Sequence, residues 1–406
     1  MYYSRGTQNA SSIVGRIDHF AFVLFNYLSR HLDIFSVCLL FVGFVTSAFF
    51  TYKIPPIRIV AVLFVASVVF VSIVNNIKKK RLDFLFQSIL IVFVVFQLSL
   101  DQVRTYQSEI APFIAMIIAL SFYKYNDVIY KVLRIVLVVN FLVMTYELAT
   151  HDYLIKVVAE NKYEHGRLQG LFSYSKECGF FLFFAFLYVR KYQSGLFIKS
   201  IVIASSLMSG SRTVILFVGF IILLDFFLAL RVKFKTKDFY KAITIMLFGG
   251  VLFGYLAVKY FDKNNIYMLY RILASFDFSS SSHVDRVFFW SSYIHELDNY
   301  TLTQWLFGAG TYLNVLLGNG SENTYLMIIS QSGLTGFFIF GFPLVLTLAL
   351  FFRYPREIYP LVLVLLFLNV GRIGVGWADG ILMWCYVISV IYSRSTMDPQ
   401  GNKLSG

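Results

Sequence analysis

Arg167, Arg212, Arg286 and Arg372 stand at or beside the ends of apolar segments, in the local sequences RLQG, SGSRT, HVDRVFFW and NVGRIGVG. All four fall on the side of those segments where basic residues are scarce. Arginine grips phosphate oxygens bidentately and needs no metal to do so. A charge at the centre of a membrane span costs about 2.5–3.5 kcal/mol on insertion scales, and much less near an end, where the side chain can snorkel. A set of arginines gathered on one side therefore suits an anionic, lipid-borne phosphate, and Arg271 is a further candidate for it. Proton transfer would need a carboxylate or a histidine, worth about 10²–10⁴-fold in rate. Glu322, Glu177, His283 and His165 are the candidates. Each has a plainer reading. An arginine at a span end can anchor the interface, Glu322 at a helix start is favoured by the helix dipole, and a loop histidine is commonly just solvated. The histidines at 151, 165, 283 and 295 show no HxxH or HExxH spacing, so no metal site is expected. Nor do the three cysteines form a CxxC or a disulfide framework.

The elements that must position these residues are apolar. Of the 406 residues 58% are hydrophobic and only 14% charged, against about 25% charged in soluble domains. Apolar runs of about 14–22 residues predict an all-α polytopic membrane protein and exclude a transmembrane β-barrel. Twelve spans are expected, at 34–51, 57–77, 82–100, 110–123, 132–149, 172–189, 196–209, 213–230, 241–260, 323–352, 358–371 and 378–393. Residues 20–31 form an interfacial helix or lengthen the first span. With both termini in the cytoplasm, 22 of the 35 Lys and Arg lie inside and 13 outside, the positive-inside bias. KKKR at 78–81 and RVKFKTK at 231–237 are the sharpest inside loops. The net charge of +13 is spread over such loops, which excludes a nucleic-acid surface. The first 30 residues, with Arg5, Arg16 and Arg30, do not read as a cleavable signal.

Residues 1–406 are thus one membrane domain with two long outer loops. One covers about 150–171, and the other, about 261–322, has room for a subdomain. In the second, Ser282 reads as the N-cap of a helix, with Asp285 three residues on. Val287, Trp290, Ile294 and Leu297 then repeat at helical spacing, which predicts an amphipathic helix near the outer membrane surface. Trp290, Tyr312 and Tyr325 could stack on sugar rings or serve as belt anchors. Gly308 and Gly310 suit a tight turn, Gly333 and Gly336 a close helix approach. Pro343 is expected to kink the tenth span, which is long enough to begin as a separate short helix. Asp225, near the cytoplasmic end of the eighth span, reads as a paired or snorkelling carboxylate.

Three stretches fall in order along the chain. They are Arg167-Leu-Gln-Gly170-Leu-Phe172, Ser209-Gly210-Ser211-Arg212-Thr213, and a long-loop series. That series runs Arg286…Trp290, Phe307-Gly308-Ala309-Gly310, Glu322-Asn323-Thr324-Tyr325-Leu326 and Gly333-Leu334-Thr335-Gly336. The set resembles the O-antigen polymerase and O-antigen ligase superfamily of bacterial membrane glycosyltransferases, in its motifs over about 160–340 and in topology over the whole chain. The resemblance implies a GT-C-like helical fold in the inner membrane, with the large loop between spans nine and ten in the periplasm. Ligases of the superfamily usually carry histidine before the Asn that corresponds to Asn323. This chain has Glu322 there, which favours the polymerase. An arginine-glycine loop motif of some polymerases is missing.

The implied reaction is cofactor-free glycosyl transfer between oligosaccharides carried on undecaprenyl pyrophosphate. Arg212 and Arg286 would stabilise the leaving pyrophosphate and Glu322 would act as base. The resemblance places Arg167, Arg271, Arg372, Glu177, His283, Asn323, Tyr325 and Trp290 around the substrate. The partners expected are those lipid-linked oligosaccharides, the bilayer and a regulator of chain length. An O-antigen ligase that transfers polymer to lipid A core stays open. So does a flippase or transporter of lipid-linked oligosaccharide, although the chain shows no repeated halves.

Overall fold

The computed structural model describes residues 82–99, 111–122, 126–154, 167–172, 175–192, 194–233, 281–317, 323–351, 355–370 and 378–393. Among them every regular element is a helix. In chain order these are α1 (Leu82–Ser99), α2 (Ala111–Phe122), α3 (Asn126–Thr150), α4 (Ser175–Lys191), α5 (Leu196–Met208), α6 (Arg212–Lys233), α7 (Ser281–Leu297), α8 (Leu302–Phe307), α9 (Tyr312–Leu316), α10 (Thr324–Phe351), α11 (Pro355–Val370) and α12 (Ala378–Ser393). Nine of the expected spans coincide with α1–α6 and α10–α12, the main shift being that α3 starts six residues earlier than its pattern suggests. Those at 34–51, 57–77 and 241–260 lie outside the described residues. Two stretches, Asn126–Thr150 and Thr324–Leu350, are long and apolar enough to cross a membrane.

Burial follows the sequence pattern. α4 is apolar nearly all round, and every residue from Cys178 to Val189 is buried, as a helix without a polar face requires. α12 is buried in the same way from Asp379 to Val390. Both form the centre of the bundle. Phe367 of α11 binds the layers together: its ring stacks on Phe183 at 4.4 Å and meets Phe180 and Phe184 of α4 and Phe217 of α6 edge-on. The outer helices keep an apolar face uncovered, with Val92 and Val95 on α1, Ile135 and Leu142 on α3, and Phe220 and Leu223 on α6 exposed.

α10 departs from the sequence reading. Its bend lies at Gly333 (φ 66°, ψ −171°), ten residues before Pro343. The expected separate helix start is therefore present, but glycine makes the break. A positive φ at this position is open to glycine at little steric cost. Gly333 also allows the expected close helix approach, since a Cβ there would lie 2.5 Å from Leu306 C and O of α8, and so does Gly336, whose Cβ position would meet Ser332, Phe113 and Phe93. A break in a helix orphans carbonyls, and the segment between α7 and α9 supplies donors for them. Ala309 N–H donates to Ser330 O at 2.9 Å and Gly310 N–H to Gln331 O at 3.2 Å. Tyr300 O–H also donates to Ser330 O, at 3.1 Å, and burial pushes its phenol pKa upward. The turn that makes this possible has Gly308 and Gly310 at φ 82° and 59°.

Two details of α7 correct the sequence reading. The helix begins at Ser281, so Ser282 lies inside its first turn rather than at the cap. The predicted apolar stripe splits. Leu297 is buried together with Tyr293, against Leu313 and the start of α10, while Val287 and Ile294 are exposed and Trp290 is half-buried. The inward face is set by what α10 offers, namely Leu326 and Ile329, not by the strongest run of hydrophobicity in α7 itself.

Candidate functional site

The antiparallel order brings the C-termini of α3 and α5 and the N-termini of α4 and α6 to one end of the bundle. Here Arg167 and Arg212 are drawn together through the main chain. α5 ends at Met208, with Ser209 as its cap and Gly210 in the left-handed region at φ 60°, the usual helix stop. Ser211 then opens α6, its carbonyl accepting from Ile215 N–H at 3.0 Å. Arg212 is the first residue of that helix. Leu168 N–H donates to Met208 O at 3.1 Å, which seats the Arg167 loop on this turn. Gly179 of α4 packs on the same turn, since a Cβ there would lie 2.6 Å from Ser211 Cβ. Glu177 is half-buried in the first turn of α4, two residues before Gly179.

A cation at a helix N-terminus opposes the helix dipole. Arg212 is such a cation, half-buried with its Nε shielded from solvent. An anion placed there would be attracted by the guanidinium, by the dipole and by the N–H groups of the first turn together. Phosphate oxygens are the natural fit, and Arg167 comes from the adjoining loop.

Residues 167–172 of that loop are held by a series of hydrogen bonds. The N–H groups of Gln169 and Gly170 both donate to Glu147 Oε2 at 3.0 Å. Leu171 N–H donates to Asn140 Oδ1 at 2.9 Å and Phe172 N–H to Gln169 O at 3.1 Å. Tyr153 O–H donates to Arg167 O at 3.0 Å. Glu147 and Asn140 are fully buried on α3. Sequence reasoning passed over both, although a signal existed: they are the polar members of a helical stripe made otherwise of Leu133, Val136, Leu137 and Met144. Asp379, buried in the first turn of α12, was also passed over.

Asn323 is the N-cap of α10. Its Oδ1 accepts from Tyr325 N–H at 2.9 Å and Leu326 N–H at 3.1 Å, and its Nδ2 donates to Asn369 Oδ1 of α11 at 3.4 Å. Tyr325 points into the bundle, its O–H donating to Leu365 O at 3.0 Å. Tyr312 is exposed. Arg286 and His283 lie in the first turns of α7. Glu322, Arg271, Arg372 and His165 lie outside the described residues. Of the predicted site residues, Arg167 and Arg212 lie on segments that the structure joins through Leu168 N–H and Met208 O.

Comparison of the chain with protein families, with curated proteins and with solved structures finds no match.

Proposed function

We propose that the chain is an O-antigen polymerase of the bacterial inner membrane, a metal-independent glycosyltransferase. It would join undecaprenyl-pyrophosphate-linked oligosaccharide units at the periplasmic face. On this reading the helices belong to a twelve-span plan with both termini in the cytoplasm, and the α7–α9 segment belongs to a periplasmic subdomain at 261–322. The observation that carries the proposal is the convergence of Arg167 and Arg212 on the turn at 208–211. It supplies fixed cationic donors at one end of the bundle, where a lipid pyrophosphate arriving through the outer leaflet would present its charge.

In the reaction an acceptor-sugar hydroxyl attacks the anomeric carbon of the donor. A new glycosidic C–O bond forms, the C–O bond to pyrophosphate breaks, and the hydroxyl proton passes to a carboxylate, for which Glu322 is the sequence candidate. Charge that grows on the departing undecaprenyl pyrophosphate falls to the arginines, because fixed donors stabilise it without reorganisation. The same chemistry with lipid A core as acceptor would make the protein a ligase, and the Glu before Asn323 favours the polymerase.

One observation favours a transporter instead: α10 is broken at Gly333, and transporters bind substrate at broken helices. The freed carbonyls of Ser330 and Gln331 accept from Ala309 and Gly310, however, so the loop fills the break. Purified protein in liposomes, given lipid-linked repeat units, distinguishes the two readings. A polymerase lengthens the glycan and releases undecaprenyl pyrophosphate, whereas a transporter moves the units across the bilayer with their length unchanged.

A further inference from the structure

Glu147 is a carboxylate inside a helix apolar enough to span a membrane. Such a group is rare and functional by default. It accepts no ion pair among the described residues. Oε2 takes two main-chain N–H groups, and Oε1 is buried with no hydrogen-bond partner. Its interactions are thus directed at main chain: the amides of Gln169 and Gly170, two and three residues beyond Arg167, and the backbone of Leu154. The Arg167 segment is also tied by Tyr153 on Arg167 O, by Met208 O on Leu168 N–H and by Asn140 on Leu171 N–H. The two bonds to Glu147 converge on one oxygen, so that a single side chain holds two successive amides. Gly170 is also the tightest point. Its φ is 59°, and a Cβ would lie 2.2 Å from Asn140 Oδ1.

We propose that Glu147 is a positioning residue. Through the amides of Gln169 and Gly170 it holds residues 167–171 on the end of α5, so that Arg167 is presented beside the first turn of α6. It neither touches the substrate nor moves a proton. This rests on the reading of Arg167 and Arg212 as a pyrophosphate site.

A positioning role and a charge role predict opposite orders for two substitutions. Glu147→Gln keeps side-chain length and an acceptor oxygen for both amides. Glu147→Asp keeps the charge but is one methylene too short to reach both. The full-length protein in nanodiscs is titrated with undecaprenyl pyrophosphate, and exchange of the Gln169 and Gly170 amides is followed by hydrogen–deuterium mass spectrometry. The expected result is that Glu147→Asp loses amide protection and weakens binding at least about 10-fold, since small displacements of a positioned group cost up to about 10². Glu147→Gln retains both within about 3-fold, so that the order is Gln above Asp. In an Arg167→Ala background Glu147→Asp weakens binding no further, because the two act through one element. Retention by Asp with loss by Gln would overturn the proposal, as would unchanged protection in Glu147→Asp. If Arg167→Ala binds as wild type, the pyrophosphate reading fails instead, while amide protection still decides whether Glu147 holds the loop.

Discussion

Leu168 and Met208 are joined by a main-chain hydrogen bond of 3.1 Å. Through it the residue after Arg167 is fixed to the last residue of α5, four positions before Arg212. The segments that carry two arginines 45 residues apart in sequence are thereby joined at one turn by a backbone contact. The arrangement can therefore be tested one residue at a time.

Gly170→Ala should damage the loop from within. A side chain at φ 59° costs roughly 1–3 kcal/mol, and the added Cβ would also collide with Asn140. The expected outcome is a lower melting temperature of the purified protein together with weakened lipid pyrophosphate binding. Gly195→Ala, where a Cβ meets nothing within 4 Å, serves as the control and should melt as wild type does.

Gly308 and Gly333 face each other's main chain. A Cβ on Gly308 would lie 2.3 Å from Gln331 C and O, and one on Gly333 would lie 2.5 Å from Leu306 C and O. Backbone cannot move aside as a flexible side chain can. Either glycine changed to alanine should lift the α8 turn off α10, read as faster limited proteolysis between 298 and 318. Unchanged cleavage would mean that the break in α10 does not depend on the loop.

At the opposite end of the bundle, Arg190 grips Asp225 with Nε at 2.7 Å and Nη2 at 2.8 Å. Arg190 is 16% exposed and Asp225 40%. The pair is partly wet, and breaking it should cost about 1–2 kcal/mol. Asp225→Ala should lower stability and leave the substrate specificity of the opposite end untouched. A double-mutant cycle with Arg190→Ala in denaturant or thermal melts measures the coupling.

Asn323 caps α10 through two amides. Asn323→Ala should cost about 1 kcal/mol, and Asn323→Asp, which keeps the acceptor oxygens, much less. Melting curves of the two variants check the order. If the Asp variant instead lost catalytic turnover at full stability, the Nδ2 donation to Asn369 would carry the role of this residue.

The sequence made the helices legible because apolar runs bounded by basic loops have few alternatives. Nine expected spans meet helices for that reason. The places of Arg167 and Arg212 beside helix ends were legible too, since a charge at the edge of an apolar run stands out. What holds them was not. Glu147 and Asn140 sit at helical spacing within an apolar stripe, but their partners are main-chain amides more than twenty residues away, and a backbone donor leaves no mark in sequence. The bend of α10 was assigned to Pro343 because proline is the commoner breaker. Gly333 breaks the helix because the Gly308 turn delivers donors to the carbonyls there, a tertiary cause that local pattern does not carry.

The central claim is that the arginines joined at the 208–211 turn serve glycan polymerisation. The most direct test is lipopolysaccharide laddering on gels in a strain deleted for the gene and complemented with wild type, Arg167→Ala or Arg212→Ala at equal membrane levels. The account predicts core bearing a single repeat unit in the deletion, a full ladder with wild type, and the single-unit pattern with either variant. A full ladder in the deletion, or with both variants, would contradict it. Loss of every repeat unit from core, with polymer retained on the lipid carrier, would contradict the polymerase reading and point to the ligase.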